Sequence, residues 1–187
     1  MAAATLQIAV YHGVNATPTV VNAESGIVFN RSDDELAVSR VPVPSNIPGS
    51  NYANYKLLRL TVTTPGTTVI SNFGYRKSGT EPSGVRFFAA IAAPTAYQQC
   101  TGTASDLGNR PPDSVAALAS SPDPNTPNGY LPIEGSVTAF DPGQYPTTAN
   151  GPLGNFLQVC LGISHLYAGG PSAAAALPAL TIQYDES

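Results

Sequence analysis

The side chains able to do acid–base, nucleophilic or metal chemistry are few in this chain and widely spread. His12 and His165 are its only histidines, and Cys100 and Cys160 its only cysteines. A zinc-type site gathers several such ligands at short spacing, and neither histidine has a second ligand type at that spacing. Both are read as surface or packing residues. Asp33, Asp34 and Glu35 are consecutive, whereas a calcium loop alternates its ligands around a glycine; this run is read as a solvated acidic turn. The serines lack the G-x-S-x-G setting of a hydrolase nucleophile. Gly79 to Gly84 has neither the lysine nor the strand-to-helix context of a phosphate loop. Carboxylate pairs for glycoside cleavage can be drawn from Asp106, Asp113, Glu134 and Asp141, and only their separation in space would select one. No catalytic, cofactor-binding or metal-ligating residue is therefore assigned, and no cofactor is expected.

Aromatic residues offer a binding chemistry instead. The chain has nine tyrosines and no tryptophan, and Tyr52, Tyr55, Tyr97, Tyr130 and Tyr145 fall in or near expected loops. Tyrosines exposed on a β scaffold can stack on sugars. Because tyrosine is also enriched at protein interfaces, these five are read as anchors of loops or subunit contacts, with a carbohydrate-binding module as an alternative.

Composition narrows the classes further. Charged residues make up 11% of the 187 and the formal net charge is -4, against a usual charged share of about 25%. Nucleic-acid binding rests on clustered Lys and Arg, and the sequence has no such cluster. The most apolar window, Phe156 to Ala168, is broken by Gln158, Ser164 and His165 and is shorter than the ~20 residues of a membrane span. The stretch MAAATLQIAVYHG lacks the basic segment of a secretory signal and reads as a first strand. A protein made in the cytosol is the expectation, with Cys100 and Cys160 as free thiols. The sequons at Asn15 and Asn30 then carry no meaning.

The elements that must carry these residues read as strands. Tyr55 to Arg76 is the clearest unit: Leu58, Leu60 and Val62 alternate with Arg59, Thr61 and Thr63, the run breaks at Pro65-Gly66, and it resumes at Val69. Such a pattern predicts two half-buried strands folded back on each other as a hairpin. Leu6, Ile8 and Val10 share a face of the first strand, which ends at His12-Gly13. A second hairpin is expected from Val20-Val21 and Ile27-Phe29 around Asn22 to Gly26. Ser78 to Gly84 is a turn, and Val85 to Ile91 a strand with one heavily apolar face and one small, partly apolar face, continuing past Pro94 from Ala96 to Thr101. Leu157 to Ile163 and Leu180 to Tyr184 supply two more alternating runs. From 109 to 152 nine prolines and four glycines gather, which predicts an inserted interaction arm, with a short helix at Asp113 to Ser120 and short extended pieces at Tyr130 to Ile133 and Ser136 to Phe140. About eight antiparallel strands and no long amphipathic helix predict one all-β domain over 1–187, a β-sandwich or jelly roll.

Several landmarks add a likeness to this pattern. Tyr11-His12-Gly13, Asn30-Arg31-Ser32-Asp33, Val41-Pro42-Val43-Pro44, Leu57-Leu58-Arg59-Leu60, Ile70-Ser71-Asn72-Phe73 and Leu180 to Glu186 together resemble the small virion structural proteins of tailed bacteriophages. The resemblance implies a non-enzymatic β protein, foremost a capsid decoration or cement protein, alternatively a neck or tail accessory. It implies the major capsid protein or other virion subunits as partners, self-association with a trimer favoured, no nucleic acid or membrane partner, and a place in the virion after synthesis in the host cytoplasm.

Overall fold

Strand β9, Gly151–Ser164, is the backbone of the molecule, and its sequence shows why. Leu157, Val159, Leu161 and Ile163 point to one face while Phe156 and Cys160 point to the other, and all six are buried. A strand apolar on both sides has to lie in the middle of a covered sheet. The computed structural model describes residues 2–13, 18–23, 26–29, 50–90, 94–97, 99, 130–164 and 178–187, the side chains of 50–52, 130 and 164 excepted. Among them run ten strands and no helix: β1 Thr5–His12, β2 Thr19–Asn22, β3 Ser50–Tyr52, β4 Lys56–Thr64, β5 Val69–Ser78, β6 Val85–Ala90, β7 Tyr130–Pro132, β8 Thr138–Pro146, β9, and β10 Ala179–Glu186.

The strands form two antiparallel sheets. The large one has the order β2-β1-β4-β9-β6-β7, with β3 also paired to β9, and the small one has the order β10-β5-β8. Between the sheets lie Val10, Leu58, Tyr75, Phe87, Leu157 and Val159 toward one end and Leu60, Val62, Ile70, Phe73 and Leu153 toward the other. The all-β expectation is met, as a two-sheet sandwich. The large sheet also carries a second apolar layer on its far side: Tyr55, Leu57, Phe88, Ala90, Phe156 and Cys160, with Tyr11 and Tyr97 packed on them. Hence β6 reads as Val-Arg-Phe-Phe-Ala-Ala, with Phe87 and Phe88 serving opposite layers.

Several expectations need correction. β4 and β5 have the expected alternation and the expected break at Pro65-Gly66, yet they do not pair: β4 lies in the large sheet between β1 and β9, and β5 in the small one between β10 and β8. The turn is a corner between layers. Gly66 is needed there because a Cβ would come within 2.6 Å of the Ala2 carbonyl oxygen and the Ala4 nitrogen. Thr67 and Ala2 hydrogen-bond to each other, and Gly66 N–H donates to the Thr147 carbonyl. These contacts fix the corner to the N-terminal segment and to the end of β8. The second expected hairpin fails similarly: β2 pairs with β1, and 26–29 is irregular. Beyond Pro94, residues 94–97 and 99 are also irregular and form no strand. Ten strands stand where about eight were expected, and β3 is one that the alternation did not reveal.

Of the proline-rich stretch 109–152, residues 130–152 enter the sheets as β7, β8 and the start of β9. β8 contains Pro142 and Pro146 and lies at an edge, where a missing N–H costs no ladder bond. Residues 109–129, with the expected helix at Asp113 to Ser120, lie outside the described residues. So do Asn15, Asn30 to Asp34, Glu35, Val41 to Pro44, Cys100, Asp106 and His165.

Candidate interaction surface

The chemistry-bearing residues that can be placed are used as ties between strands. Asp141, on β8, is 2% exposed. Its carboxylate accepts from Gly143 N–H at 2.8 Å, from the Tyr145 hydroxyl at 3.0–3.1 Å and from Asn155 N–H at 2.6 Å. The first is an Asx-type turn, for which Asp141-Pro142-Gly143 is a local cue that the sequence reading did not single out. The last crosses from β8 to β9, beside Gly154, whose φ of +67° admits only a side chain-free residue beside the Phe73 ring. A buried carboxylate with its lone pairs so filled is a structural clamp. Burial, helped by the Asp141 carboxylate, raises the Tyr145 phenol above its ordinary value, with Arg59 opposing. Glu134 lies apart, half-exposed, in an ion pair with Arg86 at 3.1 Å. The two described members of the carboxylate set thus have separate structural partners.

A second cluster joins the sheets at one end. Glu81, in the β5–β6 turn, accepts from Phe87 N–H at 2.9 Å, pairs with Lys77 at 2.7 Å and sits 4.0 Å from Arg86. Lys77 lies on β5 and Arg86 on β6, so two cations and two carboxylates link both layers. Beneath them is a cavity of about 430 Å³, lined by Ile8, Leu58, Phe87, Val159 and Leu180, with Lys77 at its side. A wall of this kind offers dispersion contact to an apolar group. Among the described residues no three His, Cys, Asp or Glu side chains gather as a metal site. His12 is half-buried at the end of β1, with its Nε2 enclosed and unpartnered. Cys160 is a buried thiol outside any disulfide, and its Sγ donates to the Ala53 carbonyl at 3.4 Å.

The expected loop tyrosines divide into three placed and two without described side chains, Tyr52 and Tyr130. Tyr55 donates its hydroxyl to the Gln99 carbonyl at 3.3 Å, and Tyr97 to the Gly13 carbonyl at 2.7 Å. Tyr11 meets Phe156 edge-on at 4.9 Å, and the Arg59 guanidinium lies 4.9 Å over the same Phe156 ring. Phe156 N–H donates to the Pro94 carbonyl. Together these contacts hold residues 94–97 and 99 over the far face of the large sheet. Tyr145 belongs to the Asp141 clamp. All three placed hydroxyls therefore anchor chain to chain.

What the sequence did not single out is the distribution of exposed apolar side chains. Val20, Leu131, Val137 and Tyr184 are 50%, 42%, 53% and 38% exposed. Val20 is on β2 and Leu131 on β7, the two margins of the large sheet; Tyr184 is on β10, a margin of the small one; Val137 immediately precedes β8, the other margin. Among the described residues, β2, β7 and β10 thus have no strand on their outer side and each carries an exposed apolar side chain, the combination by which another chain adds to a sheet. Alternation alone could not reveal this, since edge position depends on strand order. No known family, no curated protein and no solved structure matches the chain.

Proposed function

We propose that this chain is a non-enzymatic structural subunit of a tailed-bacteriophage virion, acting as a capsid decoration or cement protein that binds and stabilises the capsid lattice. The observation that carries the reading is the placement of the exposed Val20, Leu131 and Tyr184 on β2, β7 and β10, three margins of the two sheets. A body held firm by its own polar ties and apolar at its edges suits repeated contact with neighbouring subunits. The neutral surface favours it too, because with 11% charged residues copies can crowd on a lattice without strong mutual repulsion. The resemblance of the sequence landmarks to small virion proteins supplies the context, with the major capsid protein as the partner and a three-fold grouping matching a capsid three-fold site.

The test compares purified particles carrying and lacking this protein during heating. Reinforcement predicts that particles with the protein release their genome at a higher temperature, and that Val20→Lys with Leu131→Lys abolishes both binding and protection. Equal rupture temperatures with and without bound protein would reject the cement role. Rings of six or twelve copies on particles would move the protein to the neck or tail.

A further inference from the structure

The two margins of the small sheet are treated differently. β8 has Pro142 and Pro146 and the Asp141 bond to β9 that closes its side of the sandwich. Such devices keep a strand from accepting another. β10 has neither, although its register against β5 also shifts, between Gln183 and Asp185. It runs along β5 from Ala179 to Glu186, and no described strand lies on its other side. Ala179-Leu180-Thr181-Ile182-Gln183-Tyr184 contains no proline and no charge, and its two carboxylates, Asp185 and Glu186, are gathered at one end.

We infer that two copies of the chain pair antiparallel through β10, across a two-fold axis at Gln183. The strand is complementary to itself in that register. Residues opposite one another in an antiparallel pair share a face, so centring on Gln183 sets Gln183 against its own copy, Ile182 against Tyr184, and Thr181 against Asp185. The acidic end of each strand then lies away from that of the other, beside the uncharged half. An apolar residue meets the exposed tyrosine, a favourable cross-strand pair. Arg76 is the β5 neighbour of Thr181 and shares its outer face; its Nε is enclosed and makes no hydrogen bond. In the pair it lies two strands from Asp185 of the second copy, within reach of a long side chain. Asp185 is exposed and held by Asn72 at 2.8 Å, so its carboxylate is already oriented. The outermost residues of the strand, Ala179 and Leu180, border the cavity with the 26–29 segment, and pairing centred on Gln183 engages chiefly 181–185.

The inference rests on the reading of the edges as contact surfaces, and a two-fold contact is compatible with a separate three-fold one in the same particle. Its test uses the free full-length chain. Gln183→Lys puts two like charges face to face while leaving a half-buried outer position able to hold a lysine, so the solution mass should fall by half and self-affinity drop roughly tenfold. Gln183→Cys should form a disulfide-linked dimer under mild oxidation, because opposed residues lie within the Cα separation a disulfide spans. Thr181→Cys and Asp185→Cys should link when mixed and stay unlinked when separate. A wild-type mass equal to one chain, or a mass unchanged by Gln183→Lys together with no disulfide-linked dimer of the Gln183→Cys variant, overturns the pairing. A chain that is monomeric yet protects particles would sink this inference and leave the cement reading standing; a β10 dimer without effect on particles would do the reverse.

Discussion

The two ends of the sandwich interior are held together by different physics. At one end, Leu60, Val62, Ile70, Phe73 and Leu153 close on one another, and Asp141, Thr68 and Thr147 beside them are buried and hydrogen-bonded. Asp141 clamps β8 to β9, Thr147 donates its hydroxyl to the Thr68 carbonyl at 2.8 Å, and Ser187 and Val69 exchange backbone hydrogen bonds. At the other end, Glu81 and Lys77 form a mostly buried pair and Arg86 and Glu134 a more exposed one, beside a cavity of about 430 Å³. Buried hydrogen bonds are costly to break, because the abandoned partner stays away from water; exposed ion pairs are screened and contribute little. The first end should therefore govern whether the sandwich holds, and the second should tolerate change.

The largest effect is expected from Asp141→Ala. It strands two backbone N–H groups and the Tyr145 hydroxyl, and at about 1–3 kcal/mol for each unsatisfied buried group the loss should be roughly 4 kcal/mol. Urea unfolding with an unchanged m-value would measure it, and a loss below about 1 kcal/mol would show that the clamp is dispensable. Gly154→Ala comes next, at about 3 kcal/mol, since alanine resists a φ of +67° and its methyl would collide with the Phe73 ring. Glu134→Gln tests the opposite end. It removes the exposed partner of Arg86, so about 1 kcal/mol or less should be lost, and added salt should erase the difference. A loss equal to that of Asp141→Ala would break the contrast between the ends.

The Asp141 clamp also has a pH signature. Burial and the adjacent carboxylate raise the Tyr145 phenol above its ordinary 10.0, so the folded chain keeps a proton that the unfolded chain releases. This contribution is fully present below pH 10 and is lost as pH rises through the folded value. Tyr145→Phe should be less stable than wild type by about 1 kcal/mol at neutral pH, and the gap should narrow on alkaline titration. Tyr75, raised by burial as well, is common to both proteins and leaves the comparison intact. A gap constant from about pH 8 to about pH 12 would remove Tyr145 from the clamp.

The strands were legible in the sequence where one face is apolar and the other polar. Leu6-Ile8-Val10, Leu58-Leu60-Val62 and Leu157 to Ile163 all lie where alternation placed them. Pairing was not legible at the 65–68 corner, because a hairpin and a step between sheets share the same strand–turn–strand pattern. The difference resides in Gly66 against Ala2–Ala4 and in Thr67, Thr68 and Thr147, contacts between residues distant in sequence. The Asp141 clamp was half legible: Asp-Pro-Gly announces a local turn, but Asn155 N–H reaches it from another strand. The second layer beyond the large sheet had a visible cue in the paired Phe87-Phe88, while the residues covering it, Tyr97 and Pro94, gave none.

The finest test of the two ends is a single methylene. Val62 is 1% exposed among closely packed neighbours, and Val159 is equally buried but lines the cavity. Val62→Ile forces an extra carbon into filled space and should destabilise by about 1 kcal/mol or more. Val159→Ile places the same carbon in open volume, where it gains contacts without displacing any, so stability should hold or rise by about 0.5–1 kcal/mol. The sign of the difference matters more than its size, because both substitutions carry the same transfer term and the same side-chain stiffness at χ1. Equal losses at the two sites would mean that the cavity end is as tightly filled as the clamp end, and thermal melts of the two variants side by side would reveal it.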